Sequence, residues 1–244
     1  IAVSSGVTLY PIDDADPDTL MRHADQAMYH AKQEGRNRFF LFDSSHDLEI
    51  RLRRDLQDAI ERGLQVDEFC LYYQPKVNMR TGAVIGAEAL LRWNHPQRGL
   101  LLPADFLPLI AGTTLEHTVG DWVIREALQQ LATWHAAGLT LKVSINISPR
   151  HLQQRDFVTQ LGQMLGKHPA FLAQQLEMEV LETGVLEDLQ AAGKIIAECS
   201  RSAGISFALD DFGTGYSSLS HMRHLPVNTI KIDHGFVRDM ISDA

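Results

Sequence analysis

The chain has 244 residues, 45% hydrophobic and 22% charged, an ordinary globular composition that excludes disordered, collagenous and low-complexity classes. Its 22 basic against 31 acidic side chains leave a net charge of −9, which repels long nucleic acid polymers and obliges any small anionic ligand to rely on a metal or local cations. No apolar run approaches the roughly 18 residues of a membrane span, and Cys70 and Cys199 lack CxxC spacing, so both are expected as buried thiols in a reducing compartment.

The chain starts at Ile1 rather than methionine, so it is expected to be a piece whose ends need not be domain ends. Its first 43 residues read as a short α+β fragment. A strand at 7–10 closes at Pro11, and a helix from Thr19 carries Leu20, Ala24, Ala27, Met28 and Ala31 on one stripe before Gly35 stops it. A second strand follows at 38–42. An amphipathic helix at 47–63, with Leu48, Leu52, Leu56, Ala59 and Ile60 at helical spacing and Gly63 as its C-terminal cap, is expected as a connector over 44–66.

From Phe69 the pattern alternates. Strands are predicted at 69–73, 84–90, 141–147, 176–181, 205–210 and 229–233, and helices at 103–110, 120–137, 156–166, 186–203 and 217–222. Repeated β and α units of this length imply a mostly parallel sheet, doubly wound or closed into a barrel.

Each strand carries a polar residue near its C-terminal end, where β/α folds place their chemistry. These residues are Glu88, Asn146, Glu179, the pair Asp210 and Asp211, Lys231 and Asp233. Side chains alternate across a strand, so Asn146 shares a face with Ser144, Asp210 with Ala208 and Ser206, and Lys231 with Thr229 and Asp233. Val143, Ile145, Phe207 and Ile230 point the other way, toward helices, while the small Gly86, Ser144 and Ala208 leave room inside. Carboxylates and an amide oxygen, without cysteine or histidine, form a hard oxygen site suited to Mg²⁺ or Mn²⁺. Asp210 could bridge to a second ion held by Asp211, and a lysine beside them suits a phosphorus centre.

Residues from 68 onward resemble the EAL domain, the cyclic-di-GMP phosphodiesterase module of bacteria. The likeness rests on Tyr73-Gln74-Pro75, Glu88-Ala89-Leu90-Leu91-Arg92-Trp93, Pro103-x-x-Phe106, Asn146-Ile147-Ser148, Glu179-Val180-Leu181-Glu182, the run from Asp210 to Leu219, and Lys231-Ile232-Asp233. Residues 1–43 resemble the last part of a GGDEF, or diguanylate cyclase, domain through Tyr10-Pro11, Ala24-Asp25-x-Ala27-Met28-Tyr29-x-Ala31-Lys32 and Gly35-Arg36-Asn37-Arg38. The resemblance implies a (β/α)8 TIM-like barrel with an antiparallel first strand, about six of whose eight strands fall within 67–244. It implies metal-dependent hydrolysis of c-di-GMP to linear pGpG, with two ions, Mg²⁺ or Mn²⁺. Glu88, Asn146, Glu179 and Asp210 would bind the first ion, and Asp211 would help bind the second. Lys231 would position the attacking water, and Glu182 would steady the loop that starts at Phe212. Gln74, Leu90, Arg92, Pro103 and Asp233 would touch the dinucleotide. The implied setting is a cytoplasmic homodimer formed through the EAL domain, the cytoplasmic part of a larger sensor protein.

The family pattern continues beyond Lys231-Ile232-Asp233 through two more strands bearing a catalytic glutamate, so a polypeptide ending at Ala244 is expected to have little or no phosphodiesterase activity and to associate or aggregate. Leu181 stands where many members have threonine. A receptor that binds the dinucleotide, or a protein partner, without catalysis is the alternative; such receptors usually lose metal ligands, and the ligands in this sequence are intact. Asp211-Phe212-Gly213 is also a kinase triplet, but no Gly-rich loop or His-Arg-Asp accompanies it. His221 and His224 read as surface residues, and Trp93 as a packing residue bordering the site.

Overall fold

The computed structural model describes residues 3–186, 188–213 and 225–239. Two compact units divide between Ala59 and Ile60, within helix α2 (Ser44–Gly63).

In the first unit, strands β1 (Ser5–Val7) and β2 (Phe39–Leu41) pair in parallel, joined through helix α1 (Pro17–Gln33). Asp16 caps α1 by accepting from Thr19 N (3.0 Å) and Thr19 Oγ1 (2.7 Å), with Pro17 at the first helical position. Gly35, at φ 103°, follows the helix end, as the predicted stop requires. β1 lies earlier than the predicted 7–10 because it runs close against α1: a Cβ on Gly6 would meet Ala24 O at 1.8 Å. Asp13, buried, accepts from Thr8 Oγ1 (2.6 Å) and meets His23 Nδ1 (2.7 Å), and the His23 ring stacks on Phe42.

The second unit is built on strands β3 (Phe69–Val77), β4 (Val84–His95), β5 (Gly99–Leu101), β6 (Lys142–Ile147), β7 (Leu176–Leu181), β8 (Ser206–Phe212) and β9 (Thr229–Ile232). They form one sheet in the order β3-β4-β6-β7-β8-β9, with β5 paired to β4 alone. β3 runs antiparallel to β4 and every later pair along the row is parallel. This is the strand order of a TIM-like barrel with a reversed first strand, as predicted, and the described residues do not close it into a ring.

Helices α3 (Pro103–Ile110), α4 (Thr114–Ala136), α6 (Phe157–Leu165) and α8 (Leu189–Ala203) connect the strands. The short α5 (Pro149–Leu152), α7 (Glu182–Leu186) and α9 (His234–Asp239), with a 3-10 turn at Ala170–Gln175, complete the described elements. Val143, Ile145, Met178, Val180, Phe207 and Leu209 from the strands are buried, as are Val123, Ile124, Leu128 and Leu131 on α4 and Ile196 on α8.

Several expectations shift for physical reasons. α4 starts at Thr114 rather than 120 because Gly120 is a packing position inside the helix: a Cβ there would strike His151 Nδ1 at 2.2 Å. α8 starts at Leu189 because Asp188 caps it, accepting from Ala191 N at 3.0 Å. Gly63 is not a left-handed cap; its missing Cβ makes room for Glu68, Phe69 and Trp93. Cys199 is buried as expected, whereas Cys70 is only half-buried. The predicted helix at 217–222 and both His221 and His224 lie outside the described residues.

Candidate functional site

Alternation along the strands sorts the sheet into two faces. One carries the apolar residues that meet the helices. The other carries Lys76 and Gln74 from β3, Glu88 from β4, Ser144 and Asn146 from β6, Glu177 and Glu179 from β7, Asp210 from β8, and Thr229 and Lys231 from β9. Antiparallel register sets Gln74 directly opposite Glu88 and Lys76 opposite Gly86. Gly86 serves a purpose other than the central room predicted for it, because a Cβ there would meet Lys142 O at 2.7 Å and part β4 from β6.

Glu88, Glu179 and Asp210 each present a carboxylate oxygen, and the three oxygens lie within 4.8 Å of one another. The Asn146 side chain joins them by donating from Nδ2 to Glu88 Oε1 at 3.0 Å. Lys231 Nζ binds all three acids: Glu88 Oε2 at 3.2 Å, Asp210 Oδ2 at 2.9 Å, and Glu179 Oε2. Burial lowers the Lys231 pKa, but its hydrogen bonds to Glu179 and Asp210 and the charge of Glu88 more than reverse this, so the ammonium is held above the usual lysine range.

Two consecutive aspartates sit at a bulge beside the site. Leu209 pairs with Ile230 and Phe212 with Ile232, so Asp210 and Asp211 together oppose the single residue Lys231, and Asp211 takes φ 54°. Aspartate tolerates this left-handed conformation better than most residues. Asp211 N donates to Asp210 Oδ1 at 3.0 Å. Partial desolvation, then the neighbouring carboxylates of Asp210 and Asp233, push the Asp211 carboxyl above its ordinary range, with Lys231 pulling back.

Around this centre the other predicted residues fall at different distances. Glu182, buried at the start of α7, accepts from Gly213 N at 2.7 Å, while its Oε1 has no hydrogen-bond partner among the described residues. Its contact is with the segment that follows Asp211, part of which lies outside the described residues. Asp233 accepts from Gly235 N at 2.9 Å, turning the chain into α9. Leu90 and Arg92 continue the face of Glu88 along β4. Arg92 donates to Leu91 O at 2.8 Å and lies 5.4 Å over the Tyr72 ring. Pro103 opens α3 two residues past β5, whose pairing of Leu101 with Trp93 returns the chain to β4; it is not part of the carboxylate cluster. Trp93 does not border the site: it lies on the opposite face of β4, fully buried, stacked on Phe69 and donating to Glu68 Oε2 at 2.9 Å.

Two participants escaped the sequence reading. Lys76 Nζ donates to Glu179 Oε1 (2.6 Å) and to Ser144 Oγ (2.5 Å) and meets Glu177 Oε2 (3.4 Å). Glu177 is buried and accepts from Ser144 Oγ at 2.8 Å and Thr229 Oγ1 at 3.0 Å. Burial pushes the Glu177 carboxyl up, but the Ser144 and Thr229 hydroxyls and the Lys76 ammonium outweigh it and leave the group below the usual range. The same alternation that sets Asn146 beside Ser144 on one face points to the residues two positions from Glu179 and Gln74 on their strands.

The donor set fits a divalent cation. Six-coordinate Mg²⁺ holds oxygens at about 2.0–2.1 Å, so opposite ligands stand roughly 4 Å apart, and the three carboxylate oxygens all lie within 4.8 Å of one another. All the available donors are oxygens, and a cation there would meet the carboxylates that Lys231 now neutralises. A β/α domain with an oxygen-only acidic centre and a lysine at the C-terminal ends of its strands is the class the fold and site define.

The chain belongs to the EAL domain family, which matches residues 53–244, and the diguanylate cyclase GGDEF domain family matches residues 1–38. Over its whole length it is 39% identical to MucR of Pseudomonas aeruginosa, described as a bifunctional diguanylate cyclase/cyclic di-GMP phosphodiesterase, of which it covers 36%. It is 37% identical over 97% of its length to the Escherichia coli cyclic di-GMP phosphodiesterase PdeR, covering 35% of that protein. The solved structure of the PaMucR phosphodiesterase in complex with c-di-GMP superimposes with a TM-score of 0.72 at 36% identity, covering 78% of this chain and 77% of that one. The chain thus spans about a third of the length of the curated relatives it matches. The described residues include no helix long and apolar enough to cross a membrane.

Proposed function

We propose that this protein hydrolyses c-di-GMP to linear pGpG at the carboxylate cluster. The observation that carries this reading is the convergence of Glu88, Glu179 and Asp210 on one point, with Asn146 and Lys231 bonded to them, in a chain whose relatives are described as c-di-GMP phosphodiesterases. Glu88, Asn146, Glu179 and Asp210 would hold one Mg²⁺ or Mn²⁺, and Asp211, beside Asp210 at the β8 bulge, would share a second with it. Such ions supply Lewis-acid polarisation of the phosphate and lower the pKa of a bound water toward neutrality.

The chain's own residues do the rest. Lys231, whose ammonium already reaches Glu88, Glu179 and Asp210, would serve as a donor that orients a water or a phosphate oxygen. Gln74, opposite Glu88, and Leu90 and Arg92, farther along the same face, would seat the dinucleotide, with Arg92 pairing to a phosphate or base edge. Pro103 and Asp233 would border that seat. Glu182, through Gly213 N, holds the exit from the bulge and so the orientation of Asp211. We place the protein in the bacterial cytoplasm, acting as a homodimer through its EAL domain.

The test is incubation of the full-length protein with c-di-GMP and Mg²⁺, Mn²⁺ or Ca²⁺, with chromatography of the products. Linear pGpG should form with Mg²⁺ or Mn²⁺, while Ca²⁺, larger and looser in geometry, should bind without supporting turnover. Binding of c-di-GMP without product under every ion would establish a receptor instead.

A further inference from the structure

Beneath the carboxylate cluster the same face of the sheet carries a second polar layer that the proposed reaction does not use. Lys76 from β3, Ser144 from β6, Glu177 from β7 and Thr229 from β9 are joined in one network across the sheet. Among the described residues its only link upward is Lys76 Nζ to Glu179 Oε1 at 2.6 Å. An ammonium has three N–H donors, and those of Lys76 are matched by Ser144 Oγ, Glu179 Oε1 and Glu177 Oε2. None remains for a substrate phosphate.

Glu179 has a side chain with no exposed surface. A buried carboxylate with one unheld oxygen can rotate about its terminal bond, because that torsion is broad. Here Oε1 is fixed from below by Lys76, which turns Oε2 toward Glu88 and Asp210. Resting on the reading that Glu179 is a cation ligand, we propose that Lys76 is a positioning residue: anchored by Ser144 and Glu177, it clamps one oxygen of Glu179 so that the other is presented to the cation. The Lys76 charge by itself would work the other way, since a nearby ammonium repels a cation. The two effects have opposite signs, and the clamp is expected to win because partners outside the ligand sphere commonly change metal affinity 10- to 100-fold when removed.

The experiment measures Mn²⁺ binding by electron paramagnetic resonance of the free ion, without substrate, in the full-length protein and in its Lys76→Met, Ser144→Ala and Glu179→Gln variants. Thermal unfolding is followed in parallel. Lys76→Met should weaken Mn²⁺ binding about 10-fold or more. Ser144→Ala, which keeps every charge and removes only the anchor, should weaken it several-fold, and it carries the test if Lys76→Met does not fold. At saturating Mn²⁺ the Lys76→Met variant should keep the KM for c-di-GMP and lose kcat. Tighter or unchanged Mn²⁺ binding in Lys76→Met or Ser144→Ala, beside weakened binding in Glu179→Gln, overturns the clamp while leaving the metal site standing. Absence of Mn²⁺ binding in the unaltered protein overturns both.

Discussion

Both faces of the central sheet hold side chains shut off from water, and they are held by different physics. Ile145, Met178, Val180 and Phe207 on the helix side are fully buried; so are Ser144 and Glu179 on the other side, with Glu177 only 6% exposed. The first set is stabilised by leaving water, at roughly 25 cal/mol per Å² of apolar surface. The second set would be destabilising alone, since a buried charge without a partner is costly, and it is tolerated because two lysines and two hydroxyls answer the four carboxylates of Glu88, Glu177, Glu179 and Asp210. Strand alternation therefore lets one backbone serve stability on one face and chemistry on the other.

That contrast can be broken from the chemical side with the largest effect. Glu88→Gln and Asp210→Asn, measured in full-length protein, should lower kcat/KM by at least about 100-fold while unfolding stays cooperative, because each removes a charge the cation needs. From the other face, Phe207→Ala should cost about 3–5 kcal/mol in urea unfolding. Its remaining folded fraction should turn over c-di-GMP with an unchanged KM. Equal losses of activity and stability in both kinds of variant would erase the distinction.

A sharper division lies within the polar face. Arg92→Ala should raise KM for c-di-GMP roughly 10-fold with kcat little changed, because Arg92 lies past Glu88 along β4 and holds no cation. Steady-state kinetics at saturating Mn²⁺ would show the split, and a matching fall in kcat would place Arg92 nearer the reacting atoms. The smallest effect concerns the thiols. Burial on the helix side pushes the Cys199 thiol up to about 11, so iodoacetamide at pH 8 should modify half-buried Cys70 and spare Cys199 until the protein unfolds.

Much of this division was legible in the sequence, and the misses have identifiable causes. Six strands, their parity and a reversed first strand follow from alternation and from the blocks around Gln74, Glu88, Asn146, Glu179, Asp210 and Lys231. Strict alternation, however, sends Asp211 to the helix side; the bulge, a matter of pairing between β8 and β9, sets it with Asp210 opposite Lys231. Lys76 and Glu177 stayed hidden because the chemistry was sought at strand ends, whereas they sit one residue pair deeper. Gly120 read as a helix boundary by its backbone freedom, but its role is to admit the His151 ring. Strand β5 is three residues long, too short to leave a periodic signal.

The most direct measurement is anomalous diffraction at the manganese edge from crystals of the protein grown with Mn²⁺. A peak roughly 2 Å from oxygens of Glu88, Glu179 and Asp210, with the Asn146 amide oxygen turned toward it and Lys231 displaced from at least one of its three carboxylates, is the expected result. A cluster still closed by Lys231, with no peak among these residues at saturating Mn²⁺, would contradict the assignment of the carboxylate centre as the cation site.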